Sequence, residues 1–211
     1  METGLEDTQD KIESSVVDIV FDIEGKAIPE DNSSALWREV LRHLPWLEQE
    51  KHAGIHPLQA APSDYGMLLL TRRTKLVLRV AQAHVAAAME LTGRQLDIGD
   101  NVLRVGSGKV RPLPVFGTIY AHFVDMGSAD ETQFARHLAR RLEEMKIQTK
   151  FICGKRQALH TDQGVVSGFS LMLYDLTPAQ SILLQEIGLG ANRQLGCGIF
   201  IPHKSIAAIM A

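Results

Sequence analysis

The sequence predicts an α+β protein built from two consecutive units that share the element order β-α-β-β-α-β. Runs rich in β-branched residues alternate with stretches whose apolar residues recur at helical spacing. The same succession occurs in residues 16–108 and again in residues 109–211, a repetition that chance errors of assignment are not expected to produce. The 211 residues are enough to give each unit its own core. Because this order is typical of a ferredoxin-like (RRM-like) unit, we predict tandem ferredoxin-like domains.

The first unit follows a polar, acidic segment, residues 1–15, which we expect to be a flexible tail. The predicted elements then follow in order: a strand at 16–23, a loop at 25–31, a helix from 32–34 to Pro45, strands at 66–71 and 75–80, a helix at 81–91 and a closing strand or hairpin at 96–105. Leu36, Val40 and Leu44 define the apolar face of the first helix. Arg72–Thr74 is expected to join the two middle strands as a short basic turn.

The second unit repeats the pattern with clearer helix signals. Its predicted elements are a strand at 118–124, a helix at 130–145, strands at 147–153 and 165–174, a helix that begins after Thr177 and a last strand at 196–202. Phe134, Leu138 and Leu142 lie on one face of its first helix, and Pro178 suits the first position of its second. Gly154–Arg156 is expected to form the second hairpin turn.

The composition excludes several classes of protein. No apolar run approaches the roughly 18 residues of a membrane span, and the first residues lack the pattern of a signal peptide. Cys153 and Cys197 are too few for a disulfide framework and lack metal-ligand spacing. We therefore expect a cytoplasmic protein without a membrane partner, a metal or another cofactor. The net charge of −3 means that any nucleic-acid site must be a local basic patch.

The most informative segment is rich in glycine and runs from Gly188 to Pro202, where a helix leads into the last strand. Glycine permits positive φ and a close approach of another backbone. One interpretation is a loop whose N–H groups contact phosphate or a nucleotide backbone. The other is a long surface turn with a β-bulge at Gly196–Gly198. The first interpretation assigns this contact to Gly188, Gly190, Asn192, Arg193, Gly196 and Gly198.

A doubled chain with the ending G-L-G-x-N-R-x-x-G-x-G resembles the RAMP superfamily of CRISPR-associated proteins. Within that superfamily it is most similar to the repeat-RNA-processing endoribonuclease family, the sixth Cas protein. The resemblance covers about residues 16–204. The other segments that carry it are Gly25–Pro29, Leu44–Leu47, Ala53–Leu58 and Phe200–Lys204.

The resemblance implies metal-independent cleavage of precursor CRISPR RNA within each repeat. The 2′-hydroxyl of the repeat would attack the adjacent phosphate and leave a 2′,3′-cyclic phosphate and a free 5′-hydroxyl. The implied partners are the repeat RNA, its mature product, and the other Cas proteins of an effector complex that receives this product; monomer and dimer both stay open. Two other functions stay open as well: a non-catalytic RAMP subunit that binds guide RNA, and a small-molecule-binding regulator of the same fold.

In this family the catalytic histidine lies in or just after the first helix, where this chain has His43, His52 and His56. Histidine suits proton transfer because its ordinary pKa of about 6.5 lies near neutral pH. We favour His56, because its Gly-Ile-His-Pro setting matches the family and Pro57 restricts its backbone. His43 and His52 stay as alternatives. The candidate helpers, among which no motif selects, are Tyr65, Lys51 and Lys26.

Basic residues are expected to form the RNA footprint. The resemblance places repeat RNA on a basic face, and A-form RNA is recognised mainly through shape and phosphates. Taken one cluster at a time, a solvated surface is the plainer interpretation. The predicted contacts are Arg72, Arg73 and Lys75, then Arg104, Lys109 and Arg111, then Arg136 and Arg140, and then Lys155 and Arg156.

Overall fold

The computed structural model describes residues 13–203. Its first half extends to Pro112 and alternates strands with two α-helices. The strands are β1 (Val16–Glu24), β2 (Ala27–Pro29), β3 (Gly54–Ile55), β4 (Ala61–Pro62), β5 (Met67–Leu69), β6 (Lys75–Ala81), β7 (Gln95–Ile98) and β8 (Asn101–Pro112), and the helices are α1 (Ser33–His43) and α2 (Val85–Ala88). A 3-10 turn at Pro45–Gln49 follows α1, because the proline cannot continue the helix.

The main sheet of the first half is antiparallel and has the order β3-β6-β1-β8-β7. Side chains alternate between the two faces of a strand, so Ile19 and Phe21 of β1 enter one core with Leu36 and Val40 of α1. Val20 lies on the opposite face of the sheet, which faces the second half of the chain.

The second half begins with β9 and contains two longer helices. Its elements are β9 (Ile119–Val124), α3 (Glu131–Glu144), β10 (Lys150–Thr161), β11 (Gly164–Tyr174), α4 (Pro178–Ile187) and β12 (Ile201–Pro202). Asp130 caps α3, and Thr177 and Gln180 cap α4 reciprocally. Both predicted helices are thus confirmed. No helix in residues 13–203 is long and apolar enough to span a membrane.

Both halves place their strands in the same relative order. The second sheet is antiparallel with the order β10-β11-β9-β12, so the strand before the first helix lies between the third and the last. The arrangement β3-β6-β1-β8 in the first sheet is equivalent. The predicted α+β class is confirmed, and one strand order occurs twice.

The predicted pairing of the strands at 66–71 and 75–80 is wrong. β5 and β6 follow each other around the turn at Arg72–Thr74, but β5 pairs with β2 and β4 in a separate three-stranded sheet. The segment 25–31, predicted as a loop, contains β2. Both errors have one cause, because strands of two or three residues are too short to show an alternating pattern.

The predicted helix at 81–91 is broken into three pieces. Only the four residues of α2 are α-helical, and 3-10 turns flank them at Gln82–His84 and Met89–Leu91. Ala88 and Leu91 are its buried apolar residues. Two buried side chains give the segment few tertiary contacts, and a short helix depends on such contacts for its stability. A longer α-helix is therefore not formed.

Two predictions around glycines in the second half also fail. Gly154–Arg156 lies inside β10 and not in a turn, because the register shifts there as a β-bulge and the strand continues to Thr161. The last strand is shorter than predicted. Gly196 and Gly198 have φ of 95° and 62°, which a regular strand does not adopt.

Contacts at both ends of the first half bear on the predicted domain limits. β8 crosses the predicted division at 108/109 and pairs as far as Pro112, opposite Val17. The division remains a prediction, and this pairing favours placing it after Pro112. The predicted tail lies outside the described residues as far as residue 12, whereas Ser14 and Ser15 donate hydrogen bonds to the Glu186 carboxylate.

Candidate active site

A cavity of about 300 Å³ lies between the two halves. Two imidazoles line it, from His56 of the first half and His122 of the second. Three cationic side chains, those of Arg73, Lys75 and Arg111, line it as well. No carboxylate of the described residues lines this cavity, so its charge suits an anion such as a phosphate.

The antiparallel register of β1 with β6 builds one wall of the cavity. Every second residue of each strand faces the second half, since side chains alternate along a strand. Arg111 of β8 lies opposite Asp18 on the other side of β1. The cross-strand pairs on this face are Asp18–Arg79, Val20–Val77 and Asp22–Lys75.

His56 follows the edge strand β3. Its backbone N–H donates to the carbonyl of Val77 at 3.0 Å, and Pro57 restricts its backbone. The side chain is 12% exposed, and its Nε2 lies 3.1 Å from Asp18 Oδ1. Within residues 13–203 no hydrogen-bond partner meets Nδ1, which is therefore the ring nitrogen left for chemistry.

Asp18 is held in turn by the buried side chain of Arg79. Nε and Nη2 of Arg79 donate to the two carboxylate oxygens at 2.7 and 2.9 Å. Burial alone raises the pKa of Asp18, but the charge of His56 and the hydrogen bonds from Arg79 and His56 bring it well below its usual range. Asp18 is therefore ionised at neutral pH and accepts a hydrogen bond from His56 Nε2–H.

The surroundings of His56 favour its neutral imidazole at neutral pH. Burial lowers the pKa of His56, and the nearby Asp18 carboxylate offsets only part of that effect. The charges of Arg79 and Arg193 lower this pKa further. A neutral ring with its proton on Nε2 has a basic lone pair on Nδ1.

His122 lies on β9 and was missed by the sequence analysis. Gln59 Nε2 donates to His122 Nε2 at 3.0 Å, which places the proton of the neutral ring on Nδ1. Burial lowers the pKa of His122. A weak signal existed: Ile119 and Ala121 are buried, so His122 falls on the half-exposed face of an alternating strand.

The other two predicted histidines lie outside this cavity. His43 is half-buried at the end of α1, where its Nε2 lies 3.0 Å from the carbonyl of Gln95. His52 is half-buried, with Nδ1 3.2 Å from the carbonyl of Glu186. The candidate helpers do not line the cavity either: Lys26 and Lys51 are exposed, and Tyr65 is 91% exposed in the turn before β5.

The predicted RNA contacts divide into two groups. Arg73, Lys75 and Arg111 line the cavity, although Lys75 Nζ already bonds Asp22 and the carbonyl of Arg72. The remaining basic side chains lie outside the cavity on exposed positions: Arg72, Arg104, Lys109, Arg136, Arg140, Lys155 and Arg156. Their contact with RNA stays a prediction.

The glycine-rich segment packs between the halves. Arg193 donates from Nε to the carbonyl of His52 and from Nη2 to those of Gln185 and Glu186. Its Nη1 has no hydrogen-bond partner among the described residues but is buried, so it is not open to a phosphate in this conformation. Burial lowers the pKa of Arg193 to about 9.

The other members of the segment have equally definite places. Gly188, Gly196 and Gly198 are buried, and Asn192 donates to the Asp125 carboxylate. Gly190 is exposed. Contact between this segment and RNA therefore stays a prediction, and Gly190 is the glycine most accessible for it.

Comparison with known protein families shows to which family this chain belongs. A family model described as Cas6 Crispr matches residues 17–205, a range that includes every residue of the cavity. The chain belongs to the Cas6 family. A curated relative, the CRISPR-associated endonuclease Cas6 of Myxococcus xanthus, is 30% identical to this Cas6-family chain over 196 residues. The match covers 92% of this chain and 85% of the relative.

Solved structures are similar to the fold of this Cas6-family chain at low sequence identity. A Cas6-related protein from Pyrococcus furiosus has a TM-score of 0.63 and 14% identity, with 88% of this chain and 97% of that one covered. A RAMP protein described as binding different RNA substrates has a TM-score of 0.62 and 13% identity, covering 89% and 100%. The CRISPR endoribonuclease Cse3 bound to a 19-nucleotide RNA has a TM-score of 0.54 and 11% identity, covering 89% and 98%.

Proposed function

We propose that this Cas6-family protein binds CRISPR repeat RNA between two ferredoxin-like halves and cleaves the precursor transcript without a metal ion. The observation that carries the proposal is the cavity in which His56 and His122 meet three cationic side chains. The strand order that occurs twice supports the ferredoxin-like assignment of both halves. Cytoplasmic location and transfer of the product to other Cas proteins belong to the same proposal.

The chemistry needs a base, an acid and a cationic site for the phosphate. His56 takes the proton of the 2′-hydroxyl through Nδ1, because Asp18 occupies Nε2. His122 donates a proton to the departing 5′-oxygen, and the negative charge of the bound phosphate favours the imidazolium form that this step requires. Arg73 and Arg111 stabilise the additional charge that develops on the phosphate oxygens.

Cleavage in the presence of EDTA tests the proposed function. We expect wild-type protein to cut a repeat RNA at the same single-turnover rate in EDTA as in Mg²⁺, because protein side chains supply every group. The products should carry a 2′,3′-cyclic phosphate and a 5′-hydroxyl. A repeat with a 2′-deoxy nucleotide at the cut site is the control, and it should bind without being cut.

Other outcomes identify the rival functions. Binding of repeat RNA without cleavage by wild-type protein would favour the non-catalytic RAMP subunit. An RNA affinity that does not fall as salt rises would favour the small-molecule regulator, because phosphate-led binding is strongly salt-dependent. Cleavage that requires Mg²⁺ or leaves a 5′-phosphate would contradict the proposed chemistry.

A further inference from the structure

We propose that Asp18 and Arg79 are positioning residues that fix the proton of His56 on Nε2 and tie this arrangement to the docking of the two halves. The proposal rests on the proposed function, in which His56 acts through Nδ1. It concerns two residues that do not themselves line the cavity and act through His56, which does.

Asp18 determines which ring nitrogen of His56 carries the proton. An ionised carboxylate only accepts hydrogen bonds, so the contact of 3.1 Å between His56 Nε2 and Asp18 Oδ1 requires the proton to be on Nε2. The same contact sets the rotation of the ring, which has an open Nδ1. Asp18 thereby selects the tautomer that a general base needs.

Asp18 cannot move independently of Arg79. The guanidinium grips both carboxylate oxygens, in the bidentate geometry that gives strong charge-assisted hydrogen bonds. Opposed positions on neighbouring strands hold the two residues in register. The orientation of the His56 ring therefore depends on the register of β1 with β6.

Arg79 also links this pair to the second half. Nη1 of Arg79 donates to the carbonyl of Gln185 in α4 at 3.0 Å and to that of Phe200, before β12, at 2.9 Å. Arg79 is the largest side chain among the fully buried ones of the described residues. One guanidinium therefore holds the Asp18 carboxylate of one half and two backbone carbonyls of the other.

The charged groups that face His56 determine how its titration responds. Asp18 raises its pKa, whereas Arg79 and Arg193 lower it. The remaining titratable groups around the cavity are Arg73, Lys75, Arg111 and His122. Among residues 13–203, Asp18 is the one carboxylate that acts on this imidazole, so its neutralisation should lower the pKa of His56 further.

The variant Asp18→Asn tests the proposal. At saturating repeat RNA we expect the single-turnover rate to fall roughly 10- to 100-fold, as for other partners that orient a functional histidine, while RNA affinity is retained. The acid limb of the rate–pH profile should move to lower pH. Asp18→Glu should recover part of the rate, which a merely structural role for the side chain does not predict.

Nitrogen-15 NMR of histidine-labelled protein provides a readout that does not depend on activity. Wild-type protein should show His56 with its proton on Nε2, assigned by comparison with His56→Ala. In Asp18→Asn this preference should be lost. Asp22→Asn is the matched control, since it removes a carboxylate from the same face of β1 without a contact to His56. It should leave the His56 signals unchanged.

The double variant Asp18→Asn/Arg79→Met keeps the test valid if Asp18→Asn does not fold, because it leaves no buried charge without a partner. It should also lose the tautomer preference. A His56 proton on Nδ1 in wild-type protein, or a preference that survives in both variants, would overturn the proposal and leave the proposed function standing. If His56→Ala cleaves normally, the proposed catalytic residue is wrong, whereas the NMR result still decides the positioning of the ring.

Discussion

His56→Ala should reduce the single-turnover cleavage rate by about 10²- to 10⁴-fold, the range typical of a lost general acid or base. The variant removes the imidazole that the Asp18 carboxylate holds in place and leaves the cationic side chains of the cavity in position. Affinity for repeat RNA should therefore change little. Rate and affinity are measured separately, by quenched single-turnover cleavage and by filter binding of a 2′-deoxy repeat.

His43→Ala is the comparison that separates the three predicted histidines. Its imidazole lies against the carbonyl of Gln95 at the end of α1, outside the cavity, so this variant should cleave at the wild-type rate. His52→Ala tests the third candidate, whose ring contacts the carbonyl of Glu186. Loss of activity in His43→Ala, with normal activity in His56→Ala, would contradict the site described here.

Arg79→Met should lower the free energy of unfolding by about 3–5 kcal/mol, the cost of removing one partner of a buried ion pair. The Asp18 carboxylate remains in a protein interior without its guanidinium. The carbonyls of Gln185 and Phe200 lose a donor at the same time. Urea-induced unfolding measures the difference, provided that the slope of the transition is unchanged.

The pH dependence of this loss follows from the pKa of Asp18, which is lowered in the folded protein. The stabilisation is complete above the ordinary carboxylate pKa of about 3.9 and is lost as the pH falls towards the folded value. The difference between wild type and Arg79→Met should therefore be full near pH 7 and narrow in acid. Arg140→Met is the matched control, because its exposed pair with Glu144 contributes little. Equal stability of Arg79→Met and wild type at pH 7 would contradict the inference that the buried contacts of Arg79 hold the two halves together.

The long elements were predictable because local patterns determine them. β1 shows its β-branched alternation, and α3 shows Phe134, Leu138 and Leu142 on one face. α4 carries its start signal in Thr177 and Pro178. The short strands β2, β3 and β4 were not predicted, and the pairing of β5 was predicted wrongly, because long-range pairing and not local alternation creates these strands. The sequence predicts a turn where β10 has a bulge, because a glycine followed by two basic residues also suits a turn.

The site was only partly predictable for a related reason. The setting of His56 between Ile55 and Pro57 is local and could be read from the sequence. Its partner Asp18 is 38 residues away along the chain, and Arg79 is 61 residues from Asp18. Only the register of β1 with β6 brings these residues together.

Arg193 illustrates the opposite error. A glycine-rich segment with an arginine suggests phosphate binding, yet this guanidinium bonds three backbone carbonyls where the halves meet. A sequence pattern shows that a residue can bind an anion. It does not show whether the fold has already used its donors.

The most direct test of the account is the structure of the protein bound to a repeat RNA that carries a 2′-deoxy nucleotide at the cut site. We expect the scissile phosphate in the cavity between His56 and His122, within hydrogen-bonding distance of Arg73 or Arg111. The sugar 2′ position should face Nδ1 of His56. A scissile phosphate bound elsewhere, for example beside His43 or on the exposed face of α3, would contradict the account.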